Sequence, residues 1–555
     1  MKPIRSRAVF VMVLAVAALI AACGGGSGAG LSLLPEGGTS GTGISGGGGI
    51  SSGQVSSFGS VRVNARTYLT NADDPDIATL FVGPSPAFAE SDLAVGMLVQ
   101  VLWDQQSTTG PRRAQRITYL PELVGTVTNG LVDATGTLEV AGRTVLISKT
   151  TVFADVFGRT TAGTATLSGP ELLTVGSDRV EVSGFLIVID PDTGASRIEA
   201  TRVARIAATP AARLIVTGVV ANATAGAFEI RDASGRILEV SFDAGVVDDD
   251  TLFVDSGSTQ LTDGEAVRIT GERDDNAIVA VSRISRPLAD LQTMDAELPE
   301  TAEGEIAGAI TQAGEDDRFR IANQRVVFDD TTVFLAGSTA ADVTVGRRAS
   351  ATGTLRASSS GAQELLAAQI FVEPDADVEL EDVVTTAAGP ADDDGNRTFE
   401  TRIGITVVVR PNSLLKDDTS DSDDGRLDID TLAPGDFVEI RGFFDPTARL
   451  VAVKLERDDD EDECLLEARV AGSQLINGQR HYTIANRPGL VVVDIDDDSA
   501  EEKIPPGGIG EFESDEPGNC ATIPSGADID GLAVDAGFLA EDVDREDDDD
   551  EDDEK

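Results

Sequence analysis

The chain is poor in the side chains that most often do chemistry or stack on flat ligands. Aromatic residues are 4% of 555, with one tryptophan, Trp103, and three tyrosines. Sugar- and base-binding surfaces lean on exposed aromatic platforms, and a membrane-spanning β-barrel needs aromatic girdles, so the scarcity counts against all three. There is one histidine, His481, in "GQRHYTIANR". Any Ser–His or Cys–His dyad would have to use it, and a lone histidine on a strand after an Asn477-Gly478 turn reads as structural. Nucleophile-elbow, zinc-protease and phosphate-loop motifs are missing, and the few Cys and His give no ligand set for zinc. Lysine is scarce as well, six of the 43 basic residues.

Acid is what the chain has in excess. Ninety-six Asp and Glu against 43 Lys and Arg give a net charge of −53. Such a surface repels nucleic acid and anionic lipid headgroups, and it suits cations or basic partners. Hydrophobic residues make up 41% of the sequence, enough to fill cores, and 555 residues are too many for one ordinary domain. These numbers predict several small domains.

Residues 1–22 read as a lipoprotein signal peptide. Lys2, Arg5 and Arg7 form a basic start, Ala8 to Ile20 an apolar stretch too short to span a bilayer comfortably, and Ile20-Ala21-Ala22-Cys23 a cleavage site ending in cysteine. This resembles the bacterial lipobox, which implies diacylglycerol on the Cys23 thiol and acylation of its freed amine. Two or more chains anchor stably where one does not. Gly24, in place of the Asp that retains enteric lipoproteins in the inner membrane, points to the outer membrane. The Gly/Ser-rich stretch 23–53 reads as a disordered tether, because it has no periodicity and few core residues. No later apolar run approaches the length of a membrane span.

Beyond Gly53 the sequence repeats. A strand with a glycine opens each unit, as in "FGSVRV" (58–63), "LVGTVT" (123–128), "IVTGVV" (215–220) and "EIAGAI" (305–310). A Thr-x-Phe box follows, at Thr79, Thr151, Thr251 and Thr332. Then comes a Leu-x-x-Gly strand, as at Leu93/Gly96, Leu261/Gly264 and Leu432/Gly435, with a frayed copy near Gly526. A closing strand carries an Ala, as at Ala114, Ala200 and Ala452. The glycine before the fourth strand suits a turn with positive φ, and Gly271, Gly353 and Gly442, seven residues on, suit a bulge. Five short alternating strands per unit predict an all-β chain of about six small closed barrels strung in tandem like beads, since closure hides pairing edges. The expected divisions are repeat 1 at 54–120, repeat 2 at 121–208, repeat 3 at 209–287, a linker at 288–300, repeat 4 at 301–374, repeat 5 at 375–457, a degenerate repeat 6 at 458–544, and a disordered acidic tail at 545–555. With these motifs the chain resembles a bacterial envelope family, domain of unknown function 5666, whose members are often lipoproteins with several such units. The resemblance implies small OB-like barrels and no particular activity.

Two groups of candidate site residues remain. Cys464 and Cys520 are the cysteines left after processing, and an oxidising compartment favours a disulfide across the irregular insert of the last repeat. Acidic runs, including "ADDDGN" (391–396) and "KDDTSDSDDGRLDID" (416–430), offer oxygen ligands for Ca²⁺, with Asp421, Asp423, Asp424 and Asp428 as candidates. They do not fit the spacing of an EF-hand, and solvated charge explains them as well. The expectation is therefore a non-catalytic, lipid-anchored outer-membrane protein, a multi-repeat scaffold or binding module without cofactor. Its partners would be the membrane through Cys23 and an envelope or extracellular-matrix component, with no nucleic acid and no obligate oligomer. The alternative is a calcium-dependent adhesion or matrix-binding protein. A carboxylate-pair glycosidase is disfavoured by the missing aromatic platforms.

Overall fold

The computed structural model describes residues 48–545 apart from a set of loops, of which 156–168, 243–260 and 286–301 are the longest. The chain is all-β, and among the described residues there is no α-helix, only short 3₁₀ turns. Strands form where the sequence alternates: "ILEVS", Ile237–Ser241, reads exposed, buried, exposed, buried, exposed. Unit 1 displays the common plan. Its strands are Gly48–Ser57, Val61–Val63, Arg66–Leu69, Leu98–Asp104 and Arg112–Tyr119, with a short extra strand at Leu80–Val82. The first pairs antiparallel with the second and with the fourth, the second with the third, and the fourth with the fifth. The third strand and the short one both lie parallel to the fifth, which closes the ring. The order 1-2-3-5-4-1 is that of an OB-like barrel. It recurs in six units, whose first strands are Gly48–Ser57, Leu123–Val132, Leu214–Ala221, Glu303–Ala313, Val378–Thr386 and Cys464–Ile476.

The repeated motif residues hold this ring together. Gly96, Gly176, Gly264, Gly346, Gly435 and Gly507 all have positive φ, between 78° and 100°. Each donates its N–H to one residue of the first strand, in turn Val55, Val127, Val220, Ile310, Val384 and Val470. The hydroxyls of Thr79, Thr151 and Thr332 donate to the carbonyls of Ala114, Ala200 and Ala367 on the closing strand, at 2.8, 3.0 and 2.7 Å. Ser413 does the same to Ala452 in unit 5, at 2.6 Å. Just after these alanines the closing strand bulges, with Thr201, Ala368 and Val453 left over between paired residues of the fourth strand. A Cβ on Gly184, Gly353 or Gly442 would lie 2.3, 1.9 or 2.1 Å from a carbonyl oxygen of the closing strand, so no other residue fits there.

Two boundaries differ from the sequence reading. The tether does not run to Gly53, because Gly48–Gly53 begin the first strand of unit 1, and "FGSVRV" supplies a turn and the second strand instead. The strand signal was hidden because the site demands glycine: a Cβ on Gly49 would lie 2.4 Å from the Trp103 ring. In unit 6 the turn glycine is Gly507, in "PPGGIG", and not near Gly526. Arg545, assigned to the tail, pairs with Gly510 at the end of the closing strand. Residues 1–47, with the signal peptide and Cys23, the linker 288–300, Thr251 and residues 546–555 lie outside the described residues.

The six barrels are not separate beads. In each, the first strand bends, so its N-terminal half pairs with the fourth strand but not the second and keeps one edge open. These edges meet in twos. Units 2 and 3 join antiparallel at Val124 and Ile215, and units 5 and 6 antiparallel at Leu380 and Leu466. Units 1 and 4 join parallel, with Gly49 opposite Glu303 and Ser52 opposite Ile306. The pairs then pack together. Phe185 of unit 2 enters the core of unit 4 with Ile306 and Ile310, and Val95, Val152 and Leu414 bring units 1, 2 and 5 into contact. Polar groups lock the same seams. The Thr201 hydroxyl donates to the Gly96 carbonyl at 2.7 Å, and buried Glu305 of unit 4 takes Arg66 and Arg112 of unit 1 at 3.2 and 2.8 Å.

Candidate binding cleft

A cleft of about 430 Å³ opens where units 1, 4 and 5 meet, a size suited to a small ligand. One wall is the hairpin of unit 1 that carries Arg62 and Arg66. It turns through Asn64 and Ala65, both with positive φ, at 54° and 61°. The buried Asn64 amide fixes that turn by donating to the Ser51 hydroxyl and the Ser52 carbonyl, each at 2.9 Å. The floor is apolar, with Phe58, Phe371, Val409 and Leu415. The opposite wall comes from two loops of unit 5. In the turn 392–396, the Asp392 carboxylate accepts from the Asp394 and Asn396 amides at 2.9 and 2.8 Å. In the second loop, Asp428 caps a 3₁₀ turn and accepts from the Asp430 amide at 3.1 Å. Nearby, Arg426 lies 3.8 Å from the centre of the Phe58 ring and donates to the Glu90 and Leu93 carbonyls, which clamps unit 5 onto unit 1.

Most charges of the cleft already have partners. Arg66 binds Glu305, Arg410 binds Glu373 at 2.5 Å, and Arg397 binds Asp430. Arg62, Asp393 and Asp394 form no ion pair among the described residues.

Charge elsewhere is largely architectural. Asp190 and Asp329 sit in turns where the hydroxyls of Thr193 and Thr331 and nearby backbone N–H groups hold them below the usual carboxylate range. Three of the scarce lysines are in ion pairs: Lys149 with Glu467, and Lys416 and Lys454 with Glu456. Burial alone would raise Glu456, but Lys454 and Lys416 outweigh it and hold the carboxyl at about 2.

The sequence candidates are placed as follows. Cys464 and Cys520 are joined in a disulfide, with Cα atoms 5.9 Å apart, and both are buried in the core shared by units 5 and 6. Asp421, Asp423 and Asp424 lie outside the described residues, and Asp428 is on the rim of the cleft. Among the described residues no three His, Cys, Asp or Glu side chains are arranged to hold a metal ion. His481 is buried in the strand Gln479–Ile484, opposite Gln474 and Val493. Every aromatic side chain whose burial is described is buried or half-buried. The acidic run at 391–396 was visible in the sequence, but Arg62 was not. It meets that run only because two distant barrels dock.

Fold and cleft define a multi-barrel protein with a cleft at a three-way junction of its units. The model of the family described as domain of unknown function DUF5666 matches residues 124–199, 307–370 and 394–456, within units 2, 4 and 5, so the chain carries repeated domains of that family. No curated protein matches the chain. Among solved structures, a multidomain protein with nucleic acid binding domains from Streptococcus pneumoniae is 10% identical over 45% of this chain and 73% of that one. Its TM-score is 0.10, too low to bear on fold or function.

Proposed function

We propose that this is a non-catalytic, lipid-anchored protein of the bacterial outer membrane, a scaffold that offers a binding surface to an envelope or matrix partner. The observation that carries the reading is the use of the repeated motif. Its glycines, threonines and alanines all build the barrels and seams, so what recurs is a frame and not a reaction centre. The cleft between units 1, 4 and 5 is the concave surface that this frame supplies. The anchor rests on the pattern of residues 1–23, with Cys23 as the lipidated residue.

The test is metabolic labelling with an alkyne fatty acid in cells making the full chain or Cys23→Ala, followed by membrane fractionation and cross-linking. Label and outer-membrane recovery are expected for the parent and not for the variant, with a discrete cross-linked species only when the chain is anchored. Label that persists in Cys23→Ala, or a parent chain recovered unlabelled in the soluble fraction, overturns the reading.

A further inference from the structure

Resting on the binding-protein reading above, we infer that the cleft between units 1, 4 and 5 takes a basic peptide segment. The argument follows the groups left without partners. On the unit 5 wall Asp393 and Asp394 have no ion pair among the described residues, and Asp428 stands exposed on the same rim. On the facing wall Arg62 is half-buried and has no ion pair among the described residues. Between them Arg410 is 4% exposed and is held by Glu373, with its Nε left without a hydrogen-bond partner among the described residues. The Phe371 ring lies 5.9 Å from the Arg410 guanidinium and forms part of the floor.

The ligand that satisfies all of these carries positive groups at one side and acceptor oxygens at the other, joined by a stretch that tolerates an apolar floor. A short peptide with Lys or Arg side chains does this. Its cations meet the three aspartates, and its carbonyl or terminal carboxylate oxygens meet Arg62. A simple anion would face three carboxylates without ion pairs among the described residues, and a bare polyamine would leave Arg62 without an acceptor. The net charge of −53 steers a basic segment toward the protein, and the cleft then selects it.

The test is fluorescence anisotropy of a labelled Ala-Lys-Ala-Arg-Ala peptide with the full chain at physiological salt. The site variant is Asp393→Asn/Asp394→Asn/Asp428→Asn. The control is Asp192→Asn/Asp330→Asn/Glu400→Gln, which removes the same number of exposed acids that do not line the cleft. The cleft variant is expected to bind about tenfold more weakly, and the control within about twofold of the parent. Arg62→Gln should weaken the free-carboxylate peptide more than its C-terminal amide. Thermal melting of each variant checks that the fold is intact. Equal losses in the site variant and the control mean diffuse attraction to a polyanion and overturn the inference, as does a parent chain that does not bind. If the peptide fails while the anchored cross-linked species persists, the cleft assignment falls and the binding-protein reading stands. If both fail, both fall.

Discussion

Glu122 is 3% exposed at the join between units 1 and 2. Burial pushes its carboxyl up to about 7, against the smaller opposing effects of the Thr217 hydroxyl, 2.6 Å away, and of Arg268. A carboxyl raised in the fold stabilises it fully below its unfolded value near 4.5, and that contribution is lost as pH rises through about 7. Glu122→Gln keeps the shape and removes the ionisation. The variant should match the parent near pH 4.5 and exceed it at pH 8 by on the order of 1–3 kcal/mol in chemical denaturation. Comparing variant with parent cancels the general repulsion among the other acids. The same difference at both pH values would refute the assignment. The sequence gives no hint of this residue, since Pro121-Glu122 reads as an ordinary polar linker between repeats.

At the scale of the strand, local rules were readable and contacts between units were not. Alternation, the Thr-x-Phe box and the Leu-x-x-Gly turn each reflect a bond inside one barrel, so they survive in the sequence of that barrel. Gly48–Gly53 escaped because the strand lies against Trp103, and a sequence of Gly and Ser has no alternation to display. Gly507 escaped because its turn is spelled Ile504-Pro505-Pro506-Gly507, with Ile in place of Leu. The pairing of first-strand edges left no mark, because the half-strand that meets another barrel looks like the half that does not. Of the cleft, the acidic rim was legible and its cationic wall was not. The edges carry a prediction of their own. A chain ending before Cys464 loses unit 6 and uncovers Glu379–Glu381 of unit 5. Such an edge invites another strand. Sedimentation should reveal concentration-dependent self-association of the shortened chain and none of the full chain. A monodisperse monomer at all concentrations would mean that the edge is harmless.

At the scale of the molecule, the barrels share cores. One cluster runs from Val378 to Val543 through units 5 and 6, and another from Leu123 to Ile284 through units 2 and 3. Bridges such as Leu98 N–H to the Ser183 hydroxyl, at 2.8 Å, join pair to pair. A string of independent beads would melt barrel by barrel and yield barrel-sized fragments under mild proteolysis. This assembly should melt in one or a few cooperative steps, and nicked chains should stay together on gel filtration. Separate release of stable single barrels would contradict the shared cores. The disulfide adds to this on the unit 6 side. Cys464 and Cys520 are 56 residues apart, and closing such a loop restricts the unfolded chain by about 4 kcal/mol.

The parallel join of units 1 and 4 also sets an order of events. Units 2 and 3, and likewise 5 and 6, are neighbours in the chain, so each couple can close as soon as its second member exists. Unit 1 cannot. Gly49 waits for Glu303, with two whole barrels threaded between them. Contacts that distant form late and slowly. As the polypeptide emerges from its N-terminus, the first barrel made is thus among the last to have its edge paired. A holding factor that shields one nascent strand would find its client here, at the start of the chain.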